Sequence, residues 1–257
     1  MIFTLINKSL KSYNFQLPTL GTLGTLGTLN RMKNFLIILL LALMHNLSAQ
    51  TETYTVTKAP FSSDMYDEFC PVFYKNGIVF TSNRKSASVS EYETASGSST
   101  FDIKYVDTTG KVTWRKTQLF SKQLMTPLNE GPVTFNSTYD TIYFARNLMV
   151  DGKSSELSTP RNKIGIFTAN LNGNSWTRIR ELRFNNEWYN ISTPWLSSDS
   201  KRLFFASDKP DGYGGSDLYF CNWQGDYWGE PVNMGPVINT PGNEAYPYVN
   251  PAGERAK

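Results

Sequence analysis

The sequence predicts an all-β fold, a partial β-propeller of about three four-stranded antiparallel blades plus the start of a fourth, and three repeated segments carry that reading. Thr126-Pro127-Leu128-Asn129-Glu130 returns 114 residues later as Thr240-Pro241-Gly242-Asn243-Glu244, each copy with a proline shortly after it, Pro132 and Pro247. Between them, Ile142-Tyr143-Phe144-Ala145 returns after 61 residues as Leu203-Phe204-Phe205-Ala206, and Ile78-Val79-Phe80-Thr81 precedes it by 64. A second apolar run, Asp102-Ile103-Lys104-Tyr105, is matched by Ile164-Gly165-Ile166-Phe167 and by Asp217-Leu218-Tyr219-Phe220. Each is followed by tryptophan: Trp114, Trp176, and Trp223 or Trp228. Self-similarity at about sixty residues, with several short strands in each unit, marks blades stacked around an axis.

The segment 197–248 shows one whole unit. Its two apolar runs, 202–207 (RLFFAS) and 217–221 (DLYFC), are bounded by turn formers, as short buried strands are. Asp199 and Ser200 supply the turn before the first run, and the glycine-rich corner 212–215 supplies the turn between them. Three blades follow from this template, over about 67–125, 129–183 and 187–237, and 244–257 begins a fourth. A closed propeller needs at least four blades, so the chain is expected to be a piece of a longer protein.

The run from Asp199 to Pro210 (DSKRLFFASDKP), continued by Gly212-Tyr213-Gly214-Gly215-Ser216-Asp217-Leu218-Tyr219, resembles the WD40-like, TolB-type propeller repeat (PD40). The form is most similar to that of OmpA-family cell-envelope proteins of Bacteroidetes-type bacteria. Trp228-Gly229-Glu230-Pro231-Val232-Asn233-Met234-Gly235 and Ile238-Asn239-Thr240-Pro241-Gly242-Asn243-Glu244 fit the same pattern. The resemblance covers 67–257. In the first two units, insertions over 85–100 and 147–162 replace the short glycine corner. The resemblance implies a non-enzymatic envelope protein whose full-length relatives often continue into a peptidoglycan-binding domain, some of them serving secretion or gliding machinery.

The N-terminal residues read differently. Residues 1–31 form a low-complexity extension with a threefold Gly-Thr-Leu iteration, expected to lie outside the natural product, with initiation at Met32. Residues 32–49 have the anatomy of a signal peptide: Arg31 and Lys33, the apolar run 35–44, and Leu47-Ser48-Ala49 before Gln50. That run is shorter than the ~20 residues of a membrane-spanning helix, so no transmembrane span is expected once the leader is removed. No cysteine stands at the cleavage point to take a lipid. Residues 50–66 form an N-terminal strand or a linker; as a strand, 50–60 would close the ring by pairing with a blade.

Charge excludes some functions. The whole chain carries a formal +3, yet four of its 25 Lys and Arg residues precede Gln50 and none of its 22 Asp and Glu residues do. The exported part is therefore near neutral and offers no clustered basic surface for nucleic acid. The single histidine, His45, also falls in the leader, so the exported part has none for a Ser-His-Asp triad or for catalytic zinc.

The candidate residues are structural. Glu68, Glu130 and Glu244 recur before the first strand of a unit, with Pro71, Pro132 and Pro247 close behind. Recurrence favours tying neighbouring blades over catalysis, which needs a unique constellation. Asp208, Asp211 and Asp217 offer a weak Ca²⁺ loop outside the EF-hand spacing; the competing reading is turn chemistry, with Asp217 receiving backbone N–H bonds. Cys70 and Cys221 are expected as buried free thiols in the first and third blades. The tryptophans, Trp228 among them, either fill the seams between blades or line a sugar-binding face. No cofactor is expected. The function expected is a binding or scaffold module of the cell envelope whose partner is an envelope protein or a glycan. The alternatives are a propeller-type hydrolase, glycosidase or peptidase-associated, and a truncated product without function.

Overall fold

A computed structural model describes residues 4–9, 53–84, 100–110, 116–148 and 162–250 of the 257. The signal segment 32–49, Trp114, most of both insertions and 251–257 lie outside the described residues. The chain divides into two units, Thr4–Thr57 and a larger one from Lys58 onward. In the smaller unit, β1 (Thr4–Ser9) and β2 (Thr53–Lys58) make a two-stranded sheet. Within 50–60 the strand is Thr53–Lys58, and its partner is β1 rather than a strand of a blade.

The larger unit is all-β across its described residues and holds three four-stranded antiparallel sheets, the blades of a partial β-propeller. Blade 1 is β3 (Glu68–Tyr74), β4 (Gly77–Ser82), β5 (Asp102–Asp107) and β6 (Gln118–Leu119). Blade 2 is β7 (Glu130–Phe135), β8 (Thr141–Asn147), β9 (Ile164–Asn172) and β10 (Ser175–Glu181). Blade 3 is β11 (Ile191–Leu196), β12 (Arg202–Ser207), β13 (Asp217–Asn222) and β14 (Val232–Asn233). Each is a meander in which consecutive strands pair. The second strands read as continuous apolar runs because both faces are covered, and β4 is buried along its whole length.

Register fixes the equivalences. Phe80, Phe144 and Phe205 pair with Lys104, Phe167 and Tyr219 on the third strands. By the same count Asp102, Gly165 and Asp217 are equivalent, so the sequence alignment of Ile164 with those two aspartates is one residue out of phase. In each first strand the pairing slips, between Phe69 and Val72, Glu130 and Val133, and Ser192 and Trp195. The bulge turns the backbone to positive φ at Cys70 (51°) and Thr193 (51°). Blade 2 has Pro132 at that position. Its ring holds φ near −65°, so the positive φ falls on Gly131 (96°) instead.

Hydrophobic core fills the seams between blades. Successive residues of a strand point to opposite faces, so on β8 Ile142 and Phe144 enter the seam with blade 1 while Tyr143 enters the seam with blade 3. The first seam is aromatic: the Tyr74 ring lies 4.6 Å from Phe135 and 5.1 Å from Phe120, and Trp176 closes the cluster. The second holds Ile166, Leu203, Phe205, Cys221 and Trp228, with Phe184 stacked on Phe205 at 5.1 Å. Each fully buried aromatic or aliphatic side chain contributes roughly 1.5–3 kcal/mol.

Candidate functional site: blade junctions and an aromatic cleft

Glu68 and Glu130 open β3 and β7 and are buried. The Glu68 carboxylate pairs with Arg84 and accepts the Ser63 N–H at 3.2 Å. Glu130 accepts the Thr126 hydroxyl and lies 3.4 Å from Arg146 Nε. Burial outweighs both partners and pushes the Glu130 carboxyl up to about 8. Glu244 repeats the loop, accepting the Thr240 N–H at 3.0 Å and its hydroxyl at 2.5 Å. The recurrence skips one copy, because β11 opens with Ile191. Glutamate at the head of the first strand is therefore not a constant of the blade.

Asparagine immediately before that strand is the recurring tie. The Phe101 N–H donates to Asn129 Oδ1 at 2.9 Å, and the Ile164 N–H donates to Asn190 Oδ1 at 3.1 Å; Phe101 and Ile164 are equivalent residues of the preceding blade. Asn243 stands at the same place, bridged to Ser216. Each tie is also anchored in its own blade: the Asn129 N–H donates to Asn147 Oδ1 at 3.0 Å, and Asn190 Nδ2 donates to Asp208 Oδ2 at 2.7 Å. The Glu130 and Glu244 N–H groups add 2.8 Å and 2.7 Å bonds to the carbonyls of Phe101 and Ser216. Asn190 carries no motif that marks it in the sequence. Its offset from Asn129, 61 residues, is the repeat spacing already seen between Ile142 and Leu203 and could have found it.

The other predicted residues fall into place individually. Asp217 accepts the N–H groups of Tyr213 at 2.6 Å and Gly214 at 3.1 Å, and Asn233 Nδ2 at 2.7 Å, so its oxygens brace the glycine corner. Asp208 holds Asn190, and Asp211 sits in a turn at φ 69°. No group of three residues suited to a metal ion occurs among the described residues. Pro71 and Pro247 directly follow Cys70 and Tyr246, both at positive φ, as Pro194 follows Thr193; Pro132 is the copy displaced by one residue. Cys70 and Cys221 are free thiols, each pushed up to about 12 by desolvation; Cys221 is buried as expected, but Cys70 is only half-buried.

The tryptophans differ in burial. Trp176 and Trp228 are buried in the seams, whereas Trp223 is 39 % exposed. Trp223 bridges to Trp228 across the hairpin after β13, the two rings edge to face at 5.1 Å. That hairpin forms one wall of a cleft of about 480 Å³ on the seam between blades 2 and 3, within the ~300–1,000 Å³ of small-ligand sites. Trp223 and Tyr227 rise from this wall. Thr141, Asn170 and Arg180 stand on the blade 2 side, where Asn170 Nδ2 donates to Thr141 Oγ1 at 3.2 Å. Tyr143 lies at the base beside Trp228, ring centroids 5.8 Å apart; burial raises its phenol, with Trp228 and Thr168 beside it acting the other way. Charges on the rim alternate in sign: Arg180, Glu181 and Arg183 on blade 2, Asp226 on the hairpin. The Arg183 guanidinium lies 5.7 Å from the Tyr227 ring. The strands of blade 2 position one side of the cleft and the hairpin after β13 the other, and its residues come from four stretches, 141–143, 168–170, 180–183 and 223–228.

No protein-family model and no curated protein matches this sequence. Among solved structures the chain is similar to a puromycin-hydrolysing peptidase of Mycobacterium tuberculosis, at 9 % identity and a TM-score of 0.42, over 73 % of this chain and 26 % of that one. It is also similar to a structure from a study of two prolyl endopeptidases, at 8 % identity and a TM-score of 0.37, over 75 % and 26 % of the two chains. A post-proline cleaving enzyme from Rickettsia typhi is similar at 12 % identity and a TM-score of 0.32, over 62 % and 20 %. The chain spans about a quarter of the length of the first two.

Proposed function

We propose that this chain is an exported, non-enzymatic β-propeller module of the bacterial cell envelope, of the WD40-like, OmpA-associated kind, that binds a partner at the seam between blades 2 and 3. The observation that carries the reading is the cleft itself, where two exposed aromatic rings and a row of hydrogen-bonding side chains are held open by interlocked sheets. Such a surface is preorganised to bind, and little ordering cost is left for the moment of association. Export rests on the leader, with its basic start, apolar run and small-residue exit. No helix among the described residues is long and apolar enough to cross a membrane. The test is fractionation of cells expressing the full gene, with the mature N-terminus sequenced. Recovery from the envelope fraction, beginning at or near Gln50, is expected; an unprocessed cytosolic product would overturn the assignment.

A glycoside hydrolase is the second reading, on one specific observation. Glu181 and Asp226 line the same cleft and neither belongs to the repeated set, and two carboxyl groups at one site are what hydrolysis of a glycosidic bond calls for. Incubation with oligosaccharides and chromatography of the products decides it: turnover lost in both Glu181→Gln and Asp226→Asn would establish the enzyme.

A further inference from the structure

We infer that the ligand of the cleft between blades 2 and 3 is an uncharged oligosaccharide, an inference that rests on the binding reading above and narrows it to one chemical class. A sugar ring has apolar C–H faces and an equatorial belt of hydroxyls, so a site for it needs flat aromatic surface on one side and short hydrogen-bonding groups on another. Trp223 and Tyr227, 39 % and 45 % exposed, supply the first from the hairpin wall. Amphipathic aromatic side chains of this kind suit contacts that are apolar at one end and wet at the other. Thr141, Asn170 and Arg180 supply the second from the ends of the blade 2 strands.

The charge of the ligand follows from the rim. Two arginines and two carboxylates border the cleft, so their formal charges cancel. The Arg183 guanidinium is turned toward the Tyr227 ring, 5.7 Å from its centroid, rather than presented singly to an anion. A phosphorylated or uronic ligand would gain from the arginines and lose to Glu181 and Asp226, whereas an uncharged polar ligand meets donors and acceptors without that conflict. The cavity volume, about 480 Å³, suits a short stretch of chain and not a globular partner. Its open side lets a longer glycan run through.

The test is calorimetric titration of the purified full chain with cellotetraose, maltotetraose, xylotetraose and the tetramer of N-acetylglucosamine, and with tetragalacturonate as the anionic counterpart. Saturable binding of at least one neutral tetramer is expected, little changed between low salt and ~0.5 M salt because no ion pairing is involved. Trp223→Ala and Tyr227→Ala should each weaken it about tenfold, the scale of one lost aromatic contact. Both side chains are substantially exposed, so unchanged thermal unfolding verifies that the variants are folded. Failure of all four neutral tetramers to bind a cooperatively folded chain, wild-type affinity in Trp223→Ala, or tighter binding of tetragalacturonate would overturn the inference. Cleavage of a bound tetramer, lost in Glu181→Gln, would overturn the non-enzymatic reading alone and support the ligand class; a cytosolic location would remove only the envelope assignment.

Discussion

Replacing Asn190 by alanine tests whether the blades are tied by the asparagine that precedes each first strand. The substitution deletes two side-chain bonds, the 3.1 Å bond from the Ile164 N–H and the 2.7 Å bond to Asp208, and leaves the backbone of β11 untouched. The Asp208 bond is exposed, so its loss costs about 0.5 kcal/mol. The Ile164 amide is half-buried and loses its partner, which costs about 1–2 kcal/mol. A destabilisation of about 1.5–2.5 kcal/mol follows, equivalent to a fall in Tm of about 3–10 °C for a domain of this size. Differential scanning calorimetry of the full chain measures it, with Asn222→Ala as control. Asn222 is exposed at the end of β13 and accepts through its backbone carbonyl, so its truncation should stay within about 0.5 kcal/mol of the parent. Asn129→Ala deletes the equivalent bond to Phe101 but keeps the backbone bond to Asn147, so it should cost about 1–2 kcal/mol. If Asn190→Ala melts with the control, the asparagine tie is not what joins blade 2 to blade 3.

The remaining predictions concern the core and the titratable groups. Phe144→Ala empties a fully buried site in the first seam and should cost about 3–5 kcal/mol, read as a lower urea midpoint at unchanged slope. The Glu130 carboxyl is raised from 4.5 to about 8 in the folded chain. Its contribution is therefore fully present below pH 4.5 and is lost as the pH rises through about 8. Urea unfolding across that window should show the parent losing stability relative to Glu130→Gln, and parallel pH profiles would refute the assignment. Cys70 is half-buried, whereas Cys221 is fully buried with its thiol held at about 12, so an aromatic disulfide reagent should label Cys221 only as fast as the chain opens. Native-state labelling of Cys221 at the speed of a free thiol would refute that burial.

The parts of the fold legible in the sequence are those where burial on both faces leaves no choice of residue. Val79, Tyr143 and Phe204, with their neighbours, announce the second strands because successive residues there are buried on both faces. The first strands are harder to read, since the bulge at Cys70, Gly131 and Thr193 interrupts the alternation that marks a strand. Phase errors follow from the same cause. Ile164 and Asp102 each open an apolar run and so align by composition, but hydrogen-bond register follows the backbone and places Gly165 opposite Asp102 in the repeat. Glutamate stands out in the repeat by its charge, although Glu68 and Glu130 recur where Arg84 and Arg146 accompany them and Ile191 takes the place where no such arginine stands. Of the cleft, only the tryptophans are legible in the sequence. Arg180, Asn170 and Tyr227 follow no motif and meet only because blade 2 and blade 3 pack face to face.

The positive φ of the first strands is shared by Cys70, Thr193 and, at the opening of the next unit, Tyr246, at 51°, 51° and 58°. A thiol, a hydroxyl and a phenol have nothing chemical in common, so what the copies have kept is a bend of the main chain and not a residue. Ancestral identity at such a hinge can erode without moving the blade that hangs from it. Descent in this chain is accordingly recorded in torsion angles at a place where the letters no longer agree.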